Sequence, residues 1–596
     1  MRTLILAEKP DQAKKYAQAL GQATWKDDTW QFHHPNHGLV RVVSAVGHIV
    51  QLENPLKRHE NWQLSNLPIF PEEFTYQVAK GKKDVFTTIK REASQADVII
   101  IGTDPGREGE AIAYRILEKI PKAVSKIKWR LWCKSLSKKS IQKSFEQLLP
   151  ADQTVNLYHE AEARTISDWL VGYNLSPFTT IKMKSYGVIA QQDKPMSVGR
   201  VQTPIVNLVV DNDAAIAGFQ PIPFFKVQLL EQENELTFTT REIFSSQKEA
   251  ENFIAHLAKQ GQIVDIISEL VEKSAPELFD LSDLQAHMSK LYQWSADYTL
   301  EVAQRLYLKE VTSYPRTDFK TITSFEFEYL NHKDYLERLA IGIDLVGFEK
   351  HKDKVSTLYV DDDASGDHHA IIPTDIFLNQ TSHTFSAEEI ILYKEIAKRT
   401  LLMFEADYAY QKTKIVLDNK GHEFSTTGTK LVRIGWRKFV PSRKQEKHLP
   451  QDLSVGQFLS VRKLCLSDET KPPKRLTEAE LLSNILKKYN LGTSATRAGI
   501  LKTVYDRKYL IKDRKTGQLF PLERGRQLIT FLKRFDIMYT NVETTKIWED
   551  TLVRIGRGEI KAEQFLSQVK LAIAKQIEQV NRQENHQGLD ENDNSS

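Results

Sequence analysis

The stretch Asp97-Val98-Ile99-Ile100-Ile101-Gly102-Thr103-Asp104-Pro105-Gly106-Arg107-Glu108-Gly109-Glu110 runs an apolar segment straight into an acidic, glycine-containing turn. An apolar run without alternation marks a strand covered on both faces, and a helical pattern follows at 111–120. The N-terminus repeats the device. Thr3-Leu4-Ile5-Leu6-Ala7 ends in Glu8-Lys9-Pro10-Asp11, and 12–20 reads as a helix, with Pro10 where a helix start tolerates it. Val40-Arg41-Val42-Val43-Ser44-Ala45-Val46, closing on Gly47-His48, and residues 126–132 supply two more strands. Strands alternating with helices predict a parallel, Rossmann-like α/β sheet with helices on both faces. Such sheets bind ligands beyond the carboxyl ends of their strands, where Glu8 and the 104–110 turn both fall. A carboxylate cluster there is costly without a cation, and Mg²⁺, hard and oxygen-seeking, suits it. A solvated acidic loop capping a helix would show the same residues.

At 596 residues the chain is too long for one core and predicts roughly three to five domains. The net charge of +4 does not announce a nucleic-acid binder, but a basic groove fits within a balanced total. The two cysteines, Cys133 and Cys465, form no CxxC pair. That argues against a zinc ribbon or a disulfide framework and points to a reducing, cytoplasmic setting. Residues 1–7 lack a signal-peptide layout, and no apolar run approaches the ~20 residues of a membrane span.

Beyond residue 150 the pattern turns helical. Arg164 and Asp168 stand four apart on one face of 155–170, the spacing of a surface ion pair. Met196-Ser197-Val198-Gly199-Arg200-Val201-Gln202-Thr203-Pro204 opens a helix at 205–213. It reads either as backbone N–H groups and a guanidinium presented to a phosphate or as a capped helix start with an exposed arginine. Residues 224–240 alternate as β, and 284–307 are helical with Ser295 as N-cap. Next comes Glu310-Val311-Thr312-Ser313-Tyr314-Pro315-Arg316-Thr317-Asp318. Pro315 biases Tyr314 towards extended backbone, so Tyr314 and Arg316 project to one side. A phenol beside a guanidinium fork suits a phosphate; an ordinary loop with a buried Tyr and a surface Arg would look alike. In Asp367-His368-His369-Ala370-Ile371, neighbouring imidazoles diverge, so one His donating to a phosphate fits better than joint metal ligation. Residues 386–405 read as a helix and 408–461 as strands, with a basic stretch at 433–447 around Trp436. That stretch reads as a single-strand stacking surface or a solvated hairpin. Residues 476–535 are helical and include Leu491-Gly492-Thr493-Ser494-Ala495-Thr496-Arg497-Ala498; 507–519 reads as a winged-helix hairpin. The acidic last residues read as disordered, and no GxxxxGK[ST] loop occurs.

In this order the fragments resemble the type IA DNA topoisomerases, and within them the bacterial topoisomerase III group. The likeness rests on Ala7-Glu8-Lys9-Pro10 with the 103–110 turn, Ser197 to Pro204, Ser313-Tyr314-Pro315-Arg316-Thr317-Asp318, the 367–371 segment and the 492–498 segment. The resemblance implies a multidomain fold, α/β and mainly-α. A Toprim domain at 1–150 would join a toroidal core: helical, winged-helix-like 151–215 with 471–580, β-rich hinge 216–278 with 406–470, and tyrosine domain 279–405. Residues 581–596 would form a disordered tail. It implies ATP-independent cleavage of one strand through a 5′-phosphotyrosyl link on Tyr314, strand passage and religation, relaxing negative supercoils and decatenating DNA. Lys9 and Arg316 would steady the phosphate, Glu8 would manage the proton of the leaving 3′ oxygen, and His368 would add a hydrogen bond. Glu8, Asp104 and Glu108 would hold Mg²⁺. Ser197, Val198, Gly199, Arg200, Val201, Gln202, His48, Trp62, Arg164, Asp168 and Arg497 would line the DNA path. The expected partner is DNA with single-stranded regions, supercoiled or catenated, met by a nucleoid-associated cytoplasmic monomer. A helicase or single-strand-binding protein is a candidate associate; no zinc module and no membrane are expected.

One departure stands out. The family's acidic turn is Asp-x-Asp-x-Glu, and here its middle acid is Gly106. The missing charge predicts one Mg²⁺, held by Glu8 and Asp104 with Glu108 near, and a changed Mg²⁺ dependence in Gly106→Asp. Two rival classes are a Toprim-type nuclease or primase, which leaves the tyrosine motif unused, and a non-enzymatic single-stranded DNA binder, which needs no acidic cluster.

Overall fold

The structure is a computed structural model that describes residues 1–53, 62–133, 136, 138–362, 368–441, 448–450 and 452–593, with the backbone alone for 139, 494, 495 and 584–593. Its N-terminal part comprises β1 (Arg2–Ala7), α1 (Pro10–Leu20), β2 (Thr24–Lys26), β3 (Thr29–His34), β4 (Gly38–Ser44), β5 (Val50–Leu52) and β6 (Tyr76–Val78). It continues with α2 (Lys83–Gln95), β7 (Val98–Gly102), α3 (Arg107–Glu118), β8 (Ile127–Arg130), α4 (Lys138–Glu146) and β9 (Leu149–Pro150).

The main sheet has the order β2-β3-β4-β1-β7-β8-β9. Its centre is parallel, β1 pairing with β4 and β7, and β7 with β8. Its edges are antiparallel, β2 against β3, β3 against β4, and β9 against β8, so the sheet is mixed where an all-parallel one was expected. The β2–β3 hairpin escaped prediction because its two-residue turn is Asp27-Asp28, both left-handed at φ 53 and 61, without the usual glycine signal.

Alternate residues of each central strand go to opposite faces. Leu4, Leu6, Ile99 and Ile101 pack with Ile89, Ala93, Ile112 and Ile116 of α2 and α3. Ile5 and Ile100 pack with Ala13, Tyr16 and Ala17 of α1 and Ile141 and Phe145 of α4. Each fully buried Ile or Leu contributes about 1.5–3 kcal/mol, which explains an apolar run with no polar break.

From there α5 (Val155–Ser185) and α6 (Gln202–Ala217) lead to a closed barrel. Its strands are β10 (Pro223–Glu231), β11 (Thr237–Phe244), β12 (Gln260–Lys273), β13 (Tyr408–Asn419), β14 (His422–Arg433) and β15 (Phe458–Glu469), in the order β10-β11-β14-β13-β12-β15. Two separate stretches of chain therefore close one barrel. Between them lie helices Leu281–Tyr292, Ala296–Leu308, Ser324–Leu330, Lys333–Gly342 and Ala387–Leu402. Ser295 caps the second, its side chain accepting from the Tyr298 N–H. The basic stretch opens with a short turn, Gly435–Phe439, whose Trp436 Nε1 donates to the Lys273 carbonyl, 2.8 Å. Residues 442–447 lie outside the described residues.

Strands Leu510–Lys512 and Leu519–Pro521 form the expected antiparallel hairpin. The last helix runs Ala562–Asp593, into the tail expected to be disordered. Extending a packed helix needs no new nucleus, so polar residues can follow it. A third core gathers residues of α5, of the helices around Tyr314 and of the C-terminal helices; its buried members all lie between Ala163 and Val580. No helix among the described residues is long and apolar enough to cross a membrane.

Candidate active site at the acidic sheet edge

Register places the site. Ala7 pairs with both Ser44 and Gly102, so β1, β4 and β7 end level and their following loops meet. Lys9 is the extended N-cap of α1 and Pro10 its first residue. The acidic turn becomes helical earlier than expected, at Arg107, which puts Glu108 and Glu110 in the first turn of α3, where the helix dipole favours them. Two glycines let it fold back. Gly106 sits at φ 118 and ψ 175, and a Cβ on Gly109 would lie 1.9 Å from the Asp104 carbonyl oxygen. Fully buried Arg130 locks the turn from behind: Nε donates to Glu110 (2.5 Å) and Nη2 to the Asp104 carbonyl (2.8 Å).

Gly106→Asp therefore carries a backbone cost of about 1–3 kcal/mol, because that region of φ/ψ admits essentially only glycine. The variant is expected to melt several degrees below the parent chain in metal-free buffer. Equal melting temperatures would refute this account of the turn.

Tyr314 arrives from the other part of the chain. Its strand-like segment is pinned to 370–373: Ser313 N–H donates to the Ile372 carbonyl (2.9 Å), Ser313 Oγ to the Ala370 carbonyl (3.0 Å), and Thr312 bridges Pro373. That pairing brings His368 along, its ring centroid 4.5 Å from that of Tyr314, with Tyr307 at 5.2 Å on another side. His369 is the more buried of the two, its Nδ1 2.8 Å from the Ala370 carbonyl, so His368 is the one whose ring packs on Tyr314. Asp367 lies outside the described residues.

Lys9 joins the two halves. Its Nζ donates to Asp104 Oδ2 (2.7 Å) and to the Tyr314 hydroxyl (3.4 Å), and lies 3.3 Å from Glu8 Oε1. A cavity of about 510 Å³, lined by Gln12, Asp104, Tyr307, Tyr314 and His368 among others, opens beside them.

The electrostatics follow. Burial, then Asp104, pushes the Glu8 carboxyl up to about 7. Burial works against Asp104 too, but the Lys9 ammonium holds it below the usual carboxylate range. Burial opposes the charge on Lys9, yet Asp104, Tyr314 and Glu8 outweigh it and keep the ammonium ionised. Burial raises Tyr314 to about 12, with Lys9 and Arg316 pulling the other way. The exposed Arg316 also draws down Glu108, whose largest influence is its hydrogen bond from His48 (3.1 Å). Burial lowers His368 to about 4, so it is a neutral imidazole at pH 7.

Glu8, Asp104 and Glu108 offer the hard oxygen donors that Mg²⁺ takes. Among the described residues, however, no three acidic, imidazole or thiol groups converge tightly enough to hold a metal by themselves. Asp104 already spends Oδ2 on Lys9 and Oδ1 on Gln12 Nε2 (2.8 Å), though each carboxylate oxygen keeps a second lone pair. This donor set fits an ion that keeps most of its ligands as water and phosphate.

Gln12 was missed in the sequence. Buried one turn after Glu8, it accepts the Glu8 N–H (2.8 Å) and donates to Asp104 Oδ1 and to the Tyr16 hydroxyl (3.0 Å). Only its spacing, four residues past Glu8, could have flagged it. Gln12→Leu strands a buried N–H and removes a donor to Asp104, at about 1–3 kcal/mol for each unsatisfied group. A lower melting temperature and slower oligonucleotide cleavage are expected; parental values in both would remove Gln12 from the site.

The expected DNA-path residues divide. His48 stands at the edge through Glu108, and Trp62 is half-buried on the connection between β5 and β6. Arg164 and Asp168 do not pair with each other: Arg164 meets Glu549, and Asp168 takes Arg200 Nε at 2.7 Å. Arg200 is not presented to a phosphate. Its side chain is 0% exposed and also bonds Glu549 (2.5 Å), because a buried charge needs full pairing. The backbone of this segment is likewise spent internally: Ser197 N–H goes to Tyr509 OH, Val198 N–H to Ser176 Oγ and Gly199 N–H to Thr203 Oγ1. Val198 is buried, while Gly199 and Val201 are half-buried. The polar face left is Ser197 Oγ with Gln202, both bonded by exposed Arg507, a residue the sequence did not single out. Arg497 is also buried, its Nη1 donating to Ser282 Oγ (3.0 Å) and Asp318 Oδ1 (3.3 Å); it ties the C-terminal helices to the tyrosine segment.

An acidic edge at the ends of parallel strands, with a tyrosine laid over it from a distant part of the chain, matches the Toprim-bearing DNA topoisomerases. The chain belongs to that type IA DNA topoisomerase family: the family profile described as DNA topoisomerase matches residues 152–567, and that of the Toprim domain residues 3–131. Among relatives, it is 31% identical to DNA topoisomerase 3 of Bacillus subtilis strain 168 and 31% to that of Bacillus licheniformis, in each case over 96% of this chain and 80% of the relative. The solved full-length topoisomerase I of Thermotoga maritima shares the fold, with a TM-score of 0.68 at 22% identity over 97% of this chain and 90% of that one. The enzyme class is thus a DNA topoisomerase acting on DNA.

Proposed function

We propose that Tyr314 is the nucleophile of an ATP-independent, single-strand passage reaction that relaxes negative supercoils and decatenates DNA. One observation carries it: the Tyr314 hydroxyl and the Asp104 carboxylate share the same Lys9 ammonium, at 3.4 and 2.7 Å. The phenol loses its proton to solvent, and Lys9 stabilises the phenolate. Tyr314 Oη then bonds to the backbone phosphorus while the bond to the 3′ oxygen breaks. Lys9 and Arg316 offset the charge on the phosphoryl oxygens, neutral His368 offers a hydrogen bond, and protonated Glu8 gives its proton to the departing 3′ oxygen. One ester replaces another, so the reverse reaction reseals the strand without a nucleotide. Mg²⁺ on Glu8, Asp104 and Glu108 would supply DNA placement for religation. A denaturing gel with labelled single-stranded oligonucleotide tests the reading: a protein–DNA band is expected. Cleavage without that band would mean a nuclease, and no cleavage a binder.

The two shifted groups fix a pH profile. The active form needs Glu8 protonated (about 7) and Tyr314 ionised (about 12). Below 7, phenolate rises tenfold per pH unit while Glu8 stays protonated; between 7 and 12 the loss of Glu8 protons cancels the gain. Metal-free single-turnover cleavage is therefore expected to rise to about pH 7 and then level off. Glu8→Gln, with no proton to lose, should be slower and keep rising above 7; a break retained in that variant would exclude Glu8 as the acid.

A further inference from the structure

Behind the acidic edge lies a second cavity, of about 520 Å³, bounded by the start of α1, the β2–β3 hairpin, the exit of β4 and the start of α2. Two indoles form one wall. Trp25 is 58% exposed and stands edge-on to Trp30, with centroids 5.2 Å apart. The hairpin that holds them is braced: Thr29 Oγ1 donates to the Lys26 carbonyl (2.9 Å), Arg41 Nη1 to Thr29 Oγ1 (2.9 Å), and Arg41 lies 3.7 Å from Asp27. Trp25 is thus kept in solvent by its backbone.

The rest of the lining is mainly apolar, including Val42, Val43, Val46 and Val85, apart from a set of mostly acidic charged residues. Asp11, Asp28 and Asp84 face one lysine, Lys14. Asp11 is engaged by Lys15 at 3.1 Å, and among the described residues no ion pair involves Asp28 or Asp84. Such a set repels phosphate, so the cavity does not extend the DNA path. Indole faces beside unpaired carboxylates favour a cation on an apolar stem, and a guanidinium best, since it both stacks and forks to a carboxylate.

We propose that this cavity binds an arginine side chain presented by an apolar peptide segment of a partner protein, the guanidinium between Trp25 and the Asp28 and Asp84 carboxylates. The site reaches the chemistry through its walls. Val46 is two residues before His48, the partner of Glu108, and α1 begins beside Lys9.

The test uses the full chain labelled with 5-fluorotryptophan, which has nine tryptophans. Trp25→Phe and Trp30→Phe assign the two fluorine signals, and the probe is acetyl-Leu-Arg-Leu-amide. Saturable shifts of both signals are expected. Affinity should fall about tenfold or more when citrulline replaces arginine, and equally in an Asp28→Asn, Asp84→Asn double variant whose melting temperature matches the parent. No saturable shift, equal binding of the citrulline peptide, or undiminished binding by the double variant would each overturn the proposal.

Discussion

Tyr314→Phe is expected to bind single-stranded oligonucleotide like the parent chain, to form no covalent adduct on a denaturing gel, and to lose relaxation by about 10⁴-fold or more, the scale on which removal of a nucleophile acts. The substitution takes away one oxygen. The ring keeps its packing against His368 and Tyr307 and its place under the Lys9 ammonium, 4.4 Å from the centroid. Among the described residues the oxygen's only hydrogen-bond partner is Lys9, so the fold loses little when it goes. An adduct that survived would have to form elsewhere, and Tyr307, whose ring lies 5.2 Å away, is where peptide mapping should look first. Such a result would end the assignment of Tyr314.

Lys9→Met is expected to slow single-turnover cleavage by about 10²–10³-fold, the usual cost of losing a donor aimed at developing charge. Lys9 touches three groups at once, Asp104, Glu8 and Tyr314. Without it the phenol becomes harder to ionise and two carboxylates face each other across a buried edge. Methionine keeps the length and the apolar stem, so oligonucleotide binding should change far less than cleavage. The two are read separately, by filter binding and by the adduct band. A variant within threefold of the parent in cleavage would show that the ammonium is structural only.

Much of this was legible in sequence because the physics was local. Ile99, Ile100 and Ile101 announce a strand buried on both faces, and Pro10 announces a helix start, so the position of Glu8, Lys9 and Asp104 followed from strand ends alone. What was not legible depended on partners far away in the chain. Arg200 and Arg497 look like phosphate ligands in their motifs, yet Glu549 and Asp168 consume the first and Ser282 and Asp318 the second. No local pattern distinguishes an arginine facing solvent from one answering a glutamate 349 residues on. Gln12 was silent for the opposite reason: one amide among helix formers carries no pattern until the Asp104 turn is folded against it.

The three cores have a last consequence. Glu8, Lys9 and Asp104 rest on cores built mainly from the first 150 residues, which α5 joins through Tyr158 and Ala161, whereas Tyr314 rests on a core whose buried members begin at Ala163. Where the two meet at the chemistry, the contacts are polar: Lys9 to Tyr314 and Lys15 to Glu310 at 3.2 Å. Water can replace each at a net cost near 1 kcal/mol, whereas prising apart a shared apolar core would cost many times that. The proposed catalytic centre is thus built along a parting line. On the reading proposed above, one severed DNA end would travel with Tyr314 while the other stays with the carboxylates, and the break would be mended when the two faces dock again.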